Sequence, residues 1–252
     1  MNLGIQGKRA LVIGGTSGLG LACCQSLAAE GVDLAIFARN SETLKRTRSD
    51  LTDEFAVRVD TYSGDVTNRA DIVSTVELLR DSGGIDILVL NTPRPPSPMR
   101  DFLAEDDDSR WEQAYRDQLH GALNVLREAT PLLTTKGWGR IIGITSASVK
   151  EPLPRHAISS VFRAGVQAAL KHLASEIAQF GVTVNSVAPA TIATPTFEQF
   201  HDLESRVRLT PLGRSGTPEE LGATVAFLAS YQAGFITGQL IQLDGGRTAS
   251  LV

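Results

Sequence analysis

The stretch of residues 11–20, Leu-Val-Ile-Gly-Gly-Thr-Ser-Gly-Leu-Gly, constrains the fold more than any other part of the sequence. Residues 10–13 are apolar and partly β-branched, as is typical of a buried strand. After the glycines, residues 21–30 have the pattern of a helix that Gly31 closes at its C′ position. A strand, a glycine-rich turn and a helix N-terminus form an anion site, because main-chain N–H groups point outward and the helix dipole favours negative charge.

The three glycines of this turn, Gly14, Gly18 and Gly20, indicate a dinucleotide site. Glycine is needed because a side chain would block the close approach of a pyrophosphate. The spacing is Gly-x-x-x-Gly-x-Gly, which differs from the common Gly-x-Gly-x-x-Gly. A glycine-rich turn can also be a plain tight connection, and the turn alone leaves that alternative open.

Composition bounds the class of protein. The chain has 252 residues, with 42% hydrophobic and 21% charged residues, an ordinary balance for a globular protein with a large core. The net charge of −4, without a basic block, argues against a nucleic-acid partner. No apolar run approaches the roughly 18 residues of a membrane span, and residues 1–6 do not resemble a signal peptide. The adjacent Cys23 and Cys24 fit neither a disulfide framework nor a metal site, so we expect a cytoplasmic protein without a metal.

The rest of the chain alternates predicted strands and helices. Strands are predicted over residues 10–13, 32–38, 57–61, 85–90, 138–146, 182–187 and 235–243, and helices over 21–30, 42–54, 69–81, 109–134, 157–180 and 217–229. Ser41 is the predicted N-cap of the second helix, and Thr217 with Glu220 caps the last. The alternation predicts one α/β domain over residues 1–252, a Rossmann-type doubly wound parallel seven-stranded sheet with helices on both faces.

Two segments at predicted strand ends bear on ligand binding. The second strand ends at Ala38-Arg39 without a carboxylate, and an arginine there suits the 2′-phosphate of NADP better than the 2′-hydroxyl of NAD. The alternative is that Arg39 is only a solvated residue at the strand end. Residues 189–216, which carry Phe197, Phe200 and Leu203, are too long for a structureless loop. We therefore predict that they form a substrate lid with some helix of its own.

Several blocks, in order along nearly the whole chain, resemble the short-chain dehydrogenase/reductase family, in the style of its 3-oxoacyl carrier-protein reductases. Residues 13–20 resemble Thr-Gly-x-x-x-Gly-x-Gly with isoleucine for threonine, and Asn91 matches the asparagine of Asn-Ala-Gly. Residues 184–189 match the sixth strand, and residues 211–214, 218–220 and 238–246 match the C-terminal signature. The turn and the resemblance together imply these residues around NADP(H): Gly14, Thr16, Ser17, Gly18, Leu19, Gly20, Arg39, Asp65, Val66, Asn91, Arg163, Pro189, Ile192 and Thr194.

The catalytic positions implied by the resemblance depart from the family pattern. Ser146 fits the serine that holds the substrate carbonyl. Aligning back from residues 184–185 puts Ser159 at the tyrosine and Arg163 at the lysine of Tyr-x-x-x-Lys, and Gln118 falls at the asparagine. A serine hydroxyl lacks the acidity that a lysine gives to a tyrosine, and arginine cannot relay a proton at neutral pH. Arg163 can still hydrogen-bond the nicotinamide ribose.

The sequence offers several candidates for the proton donor and two roles for a nearby charge. His156 could titrate near neutrality, or it could be a solvated residue at the helix start. Tyr115 could share a helix face with Gln118, three residues away. Arg94, in the proline-rich loop of residues 91–98, could clamp an anionic substrate or simply be exposed.

Two functions remain after these observations. The leading hypothesis is a divergent NADP(H)-dependent oxidoreductase that reduces a carbonyl or an activated double bond of a small-molecule or acyl substrate. The alternative is the same fold repurposed as a non-redox enzyme or as a cofactor-binding structural or sensor protein. By resemblance, residues 109–134, 157–180 and 235–252 predict a homotetramer with closed dihedral symmetry.

Overall fold

The structure, a computed structural model, describes residues 2–198 and 202–251 and contains a seven-stranded, fully parallel sheet. The strand order is β3-β2-β1-β4-β5-β6-β7, so β1 lies between β2 and β4 at the point where the winding reverses. The strands are β1 (Arg9–Ile13), β2 (Asp33–Ala38), β3 (Val59–Ser63), β4 (Ile87–Asn91), β5 (Gly139–Ile144), β6 (Val182–Pro189) and β7 (Leu240–Leu243). The predicted Rossmann-type sheet is confirmed.

Helices cover both faces of the sheet. They are α1 (Gly18–Ala29), α2 (Ser41–Glu54), α3 (Arg69–Asp81), α4 (Asp108–Ala114), α5 (Gly121–Leu133), α6 (Ala157–Ile177), α7 (Pro195–Glu198), α8 (Leu203–Arg208) and α9 (Pro218–Ala229). Short 3₁₀ segments occur at Phe102–Ala104, Ala147–Val149 and Ala178–Phe180.

The core forms two clusters because alternate residues of a strand point to opposite faces of a sheet. Leu11 and Ile13 of β1 pack in the cluster under α3, α5 and α6. Ala10 and Val12 pack in the other cluster, with α1, α2 and α9. Cys23 and Cys24 are fully buried in that second cluster as small helix-packing residues.

Three predicted elements need correction. Asn40, and not Ser41, caps α2, because its side chain accepts from the main-chain N–H of Thr43 at 2.9 Å.

The single helix predicted over residues 109–134 is interrupted by a π-helical segment, Tyr115–His120, between α4 and α5. The last strand is shorter than residues 235–243, because the side chain of Asn185 bonds the main chain on either side of the turn at residues 237–238 and holds it out of the sheet.

The segment of residues 189–216 contains two short helices, α7 and α8, in place of a structureless loop. Phe197 lies on α7 and Leu203 opens α8, whereas Phe200 lies outside the described residues. Over residues 2–198 and 202–251, no helix combines the length and apolar character that a membrane crossing requires. The same ranges hold no group of three or more His, Cys, Asp or Glu side chains placed to bind a metal ion.

Candidate active site

A cavity of about 790 Å³ opens at the carboxyl edge of the sheet. The last residues of five strands line it: Ile13, Ala38, Asn91, Ile144 and Pro189. In open α/β sheets ligands bind at this edge, where the strand order reverses. The cavity therefore lies where the fold predicts a ligand.

The glycine turn forms one wall of the cavity and fits a pyrophosphate. Gly14 has φ +69°, and a Cβ there would lie 3.1 Å from the side-chain nitrogen of Asn91. A Cβ on Gly20 would lie only 2.1 Å from the main-chain oxygen of Gly14, so the helix packs against the turn only because Gly20 has no side chain. Gly18 faces open space, and Ser17 makes no side-chain cap to α1. The first N–H groups of α1 are thus open to an anion.

Arg39 marks the far end of the cavity. It follows the last residue of β2, its side chain is exposed, and no carboxylate lies at that strand end. Burial raises the pKa of the Asp117 carboxyl, while the positive charge of Arg39 opposes that shift. Asp65 also lines this end, but its carboxylate accepts from the main-chain N–H and the hydroxyl of Thr67, both at 2.8 Å. Arg39 therefore remains the cation available to a ribose phosphate here.

The predicted site residues largely come together in this one cavity. Two predicted residues do not line it: Gly20, which packs against the main chain of Gly14 in the glycine turn, and Gln118. The predicted residues that line it are Gly14, Thr16, Ser17, Gly18, Leu19, Arg39, Asp65, Val66, Asn91, Ser146, Ser159, Arg163, Pro189, Ile192 and Thr194.

Ser146 lies just past β5 and is oriented by its neighbour. Its hydroxyl oxygen accepts from the main-chain N–H of Ser148 at 3.2 Å and lies 2.9 Å from the Ser148 hydroxyl. The Ser146 proton can therefore be donated either to Ser148 or to a ligand oxygen in the cavity. The hydroxyl oxygen of Ser146 is therefore held in place, while its hydrogen can turn toward a ligand.

Arg163 is a buried cation, only 8% exposed, on the cavity wall. Its Nη1 donates to the main-chain oxygens of Ile144 and Thr145, both at 3.1 Å, and its Nη2 donates to that of Pro93 at 3.4 Å. Burial and the nearby charge of Arg94 lower the pKa of its guanidinium to about 10, so it stays protonated at neutral pH. No carboxylate of residues 2–197 or 202–251 lies within ion-pair distance of it.

Gln118 lies in the π-helical segment Tyr115–His120 and is completely buried. Neither its amide nitrogen nor its amide oxygen has a hydrogen-bond partner within the described ranges. Tyr115 is exposed and packs against the rings of His120 and Phe162, outside the cavity lining. The structure therefore places neither side chain at the cavity surface, although π-helical turns are frequent at functional sites.

His156 lines the cavity one turn before Ser159. Its Nδ1 lies 2.7 Å from the main-chain oxygen of Pro154, a contact in which the ring must donate, so Nε2 is the free nitrogen of the neutral imidazole. Burial lowers the pKa of His156, and the charges of Arg206, Arg155 and Arg247 lower it further.

Sequence reasoning missed Arg155 and Arg206, which also line the cavity. Arg155 precedes α6 and has a left-handed backbone, φ +59°, and Arg206 lies on α8 in the predicted lid. The position of Arg206 within the predicted lid was the one indication in the sequence that it could face the cavity. Nothing in the sequence shows which face of so short a helix turns inward.

Comparison with known proteins places the whole chain in one group. Residues 14–248 match the family model described as enoyl-(acyl carrier protein) reductase. The sequence is 34% identical over 246 residues to nodulation protein G of Azospirillum brasilense, covering 95% of this chain and 97% of that protein. It is 32% identical over 244 residues to 3-oxoacyl-(acyl-carrier-protein) reductase of Rickettsia bellii, covering 96% of this chain and 97% of that protein. The crystal structure of L-sorbose reductase from Gluconobacter frateurii, complexed with NADPH and L-sorbose, is similar with a TM-score of 0.92 and 30% identity over 100% of both chains.

Proposed function

The chain belongs to the short-chain dehydrogenase/reductase family, and from that premise we propose that it is a divergent NADP(H)-dependent reductase. It reduces a carbonyl or an activated double bond of a small-molecule or acyl substrate. The observation that carries this proposal is the continuity of one cavity from Arg39 and the glycine turn to Ser146. When bound, the nicotinamide supplies a hydride, and the protein has to position the substrate and provide for the proton.

The choice of NADP(H) over NAD(H) rests on Arg39. A guanidinium at the end of β2, without a neighbouring carboxylate on that strand end, suits a phosphate on the ribose. The structural neighbour that was crystallised with NADPH agrees with this choice.

Ser146 carries the polarisation of the substrate oxygen in this proposal. Because its own oxygen already accepts from the N–H of Ser148, its hydroxyl hydrogen can point into the cavity. Such a preorganised donor stabilises the negative charge that develops on the oxygen as hydride arrives.

The other three catalytic positions hold residues that differ from the family's tyrosine, lysine and asparagine. Ser159 lines the cavity with a hydroxyl that is a poor acid, and Arg163 donates three of its five N–H groups to main-chain oxygens. Gln118 is buried away from the cavity. We therefore assign Ser159 and Arg163 to shaping the cavity and binding the cofactor, and the proton comes from a group other than a tyrosine.

Cofactor titration followed by a turnover assay tests the proposal. NADPH and NADH binding is measured by fluorescence for the wild type, for R39Q and for R46Q, which removes an exposed arginine of α2. We expect NADPH to bind more tightly than NADH, R39Q to abolish that difference, and R46Q to leave it intact. Oxidation of NADPH is then followed over a panel of ketones and enones. Failure to bind either cofactor would overturn the proposal, and bound NADPH that no substrate oxidises would favour the non-redox alternative.

We further propose a homotetramer that works in the cytoplasm. Phe102, Leu103 and Val161 are exposed near α4 and on α6, and Phe235 and Leu251 are exposed in the C-terminal segment, which together could be covered by other subunits. The free, buried thiols of Cys23 and Cys24 suit a reducing compartment. Light scattering at micromolar concentration tests the assembly, and a monomer alone would contradict it.

A further inference from the structure

The part of the cavity beyond the glycine turn is lined by four arginines, Arg94, Arg155, Arg163 and Arg206, which we call the arginine cluster. They come from four separate parts of the chain: the loop after β4, the turn before α6, α6 itself and α8. Arg155, Arg163 and Arg206 form no ion pair with a carboxylate of residues 2–197 or 202–251. The fold thus brings distant positive charges together at one surface.

Few negative charges balance this cluster. The described carboxylates that line the cavity are Asp65, Asp117 and Asp202. The first two lie near Arg39, at the opposite end. Asp202 caps α8, where its oxygen accepts from the N–H groups of Glu204 and Ser205 at 3.1 and 3.3 Å.

Asp101 contacts the cluster through the main chain of Arg155. Its oxygen accepts from the main-chain N–H of Arg155 at 2.6 Å, so it holds the backbone of this residue and leaves the guanidinium to the cavity. Because the chain as a whole has a net charge of −4, the positive lining is local and does not reflect its composition.

Placing these like charges close together costs free energy when no anion is bound between them. Arg94 lowers the pKa of Arg163, and Arg155 with Arg247 lowers that of Arg206, after burial in each case. An anion beside either pair would relieve the repulsion within it, and guanidinium groups bind carboxylate or phosphate oxygens in pairs. A low-dielectric cleft of one charge sign also concentrates ligands of the opposite sign.

We propose that the substrate carries an oxyanion group, a carboxylate or a phosphate, and that the arginine cluster binds it while the reacting carbon faces Ser146. This deepens the proposed function, because it names the substrate class of the same cavity. The anion site itself stands on the cluster and does not require hydride transfer.

Calorimetry tests the anion site directly. Malonate, inorganic phosphate and the neutral malonamide are titrated into the protein saturated with NADPH, so that the cofactor's own phosphate sites are filled. The variants are R206Q and, as a matched control, R208Q, which removes an exposed arginine of the same helix that pairs with Glu204 outside the cavity. We expect malonate or phosphate to bind and malonamide not to bind. R206Q should weaken the anion about tenfold or more, as expected when charged hydrogen bonds are lost, and R208Q should change it less than about twofold.

The outcomes separate this inference from the proposed function. Binding of malonate alone indicates a carboxylate substrate, and binding of phosphate alone indicates a phosphorylated one. Equal affinity for malonamide, or equal effects of R206Q and R208Q, would overturn the anion site. If NADPH does not bind, the proposed function fails, but the difference between R206Q and R208Q in the cofactor-free protein still decides the anion site.

Turnover gives a second readout where the reductase activity is present. Each ketone that carries a carboxylate is paired with its methyl ester, and kcat/KM is compared. We expect the acid to be preferred about tenfold or more, and this preference to be lost in R206Q and kept in R208Q. If malonate binds in the calorimeter, an ester reduced as well as its acid by the wild type would contradict the inference.

Discussion

The guanidinium of Arg163 donates to the main-chain oxygen of Thr145 across 3.1 Å, so a charged residue of α6 is tied to the end of β5. The same group reaches Pro93, in the loop after β4. Arg163 therefore joins the ends of two neighbouring strands, β4 and β5, at the cavity wall, in addition to any contact with a cofactor.

Replacing Arg163 with alanine should cost both stability and cofactor affinity. Three main-chain oxygens would lose their donor, so we expect R163A to lower the free energy of unfolding by about 3 kcal/mol. Loss of a charged hydrogen bond should weaken NADPH binding by about 1.5–3 kcal/mol. Urea unfolding and fluorescence titration measure the two effects, with R163K as the intermediate variant. Unchanged stability in R163A would show that the main-chain contacts are not important.

Ser146 and Ser159 should differ in their effect on turnover. Ser146 is oriented by Ser148 and faces the cavity, so S146A should lower kcat about tenfold to a thousandfold. S159A should cost less than about tenfold, since its hydroxyl is a poor acid. Steady-state kinetics on both variants checks this. An S159A enzyme that binds NADPH normally but loses nearly all turnover would reverse the assignment.

Restoring the family pair should not improve this enzyme. In S159Y/R163K a ring must enter the cavity at a residue that is 4% exposed, and one ammonium replaces the guanidinium that joins two strand ends. Gln118 would also stay buried outside the cavity. We therefore expect lower activity on the native substrate than in the wild type. S160Y adds the same ring one residue along and outside the cavity lining, so it should have the smaller effect. Higher carbonyl reduction by the double variant would point to a hidden form of the family relay.

His156 should make the protein less stable in mild acid. Its folded-state pKa is lowered by burial and by Arg206, Arg155 and Arg247, so the unfolded chain binds the proton more readily. Its contribution to stability is complete above the ordinary pKa of 6.5 and is lost as the pH falls through the lowered folded value. We expect H156Q to flatten the decline of Tm between about pH 7 and about pH 5. Parallel Tm profiles for the two proteins would contradict this.

Much of the fold and of the cofactor end of the site could be predicted from the sequence, because glycines act through the backbone. Gly14 and Gly20 report a close approach that no other residue allows, and their spacing fixes a strand, a turn and a helix. The N-cap of α2 could not be predicted from the sequence, since Asn40 and Ser41 are both good N-cap residues. Only the hydrogen bond in the structure distinguishes them.

The substrate end of the site was less accessible to sequence reasoning. Arg155 and Arg206 are far apart in sequence and meet only because α8 folds over the cavity near the start of α6. The π-helical segment Tyr115–His120 was not predicted, because one extra residue in a turn shifts the phase of the helical pattern and does not end it. Such features depend on tertiary packing and not on local preference.

The strand order also determines how the chain is exposed while it is being made. Because every pair of neighbouring strands is parallel, no pairing is local, and β4 joins β1 only after residues 9–91 have emerged. The other side of β4 stays uncovered until β5 has been synthesised, roughly 3–10 seconds later at ordinary translation rates. During that interval the apolar strand Ile87–Asn91 presents an open edge to other nascent chains. The half-made sheet therefore exposes an apolar strand that the finished sheet covers on both sides.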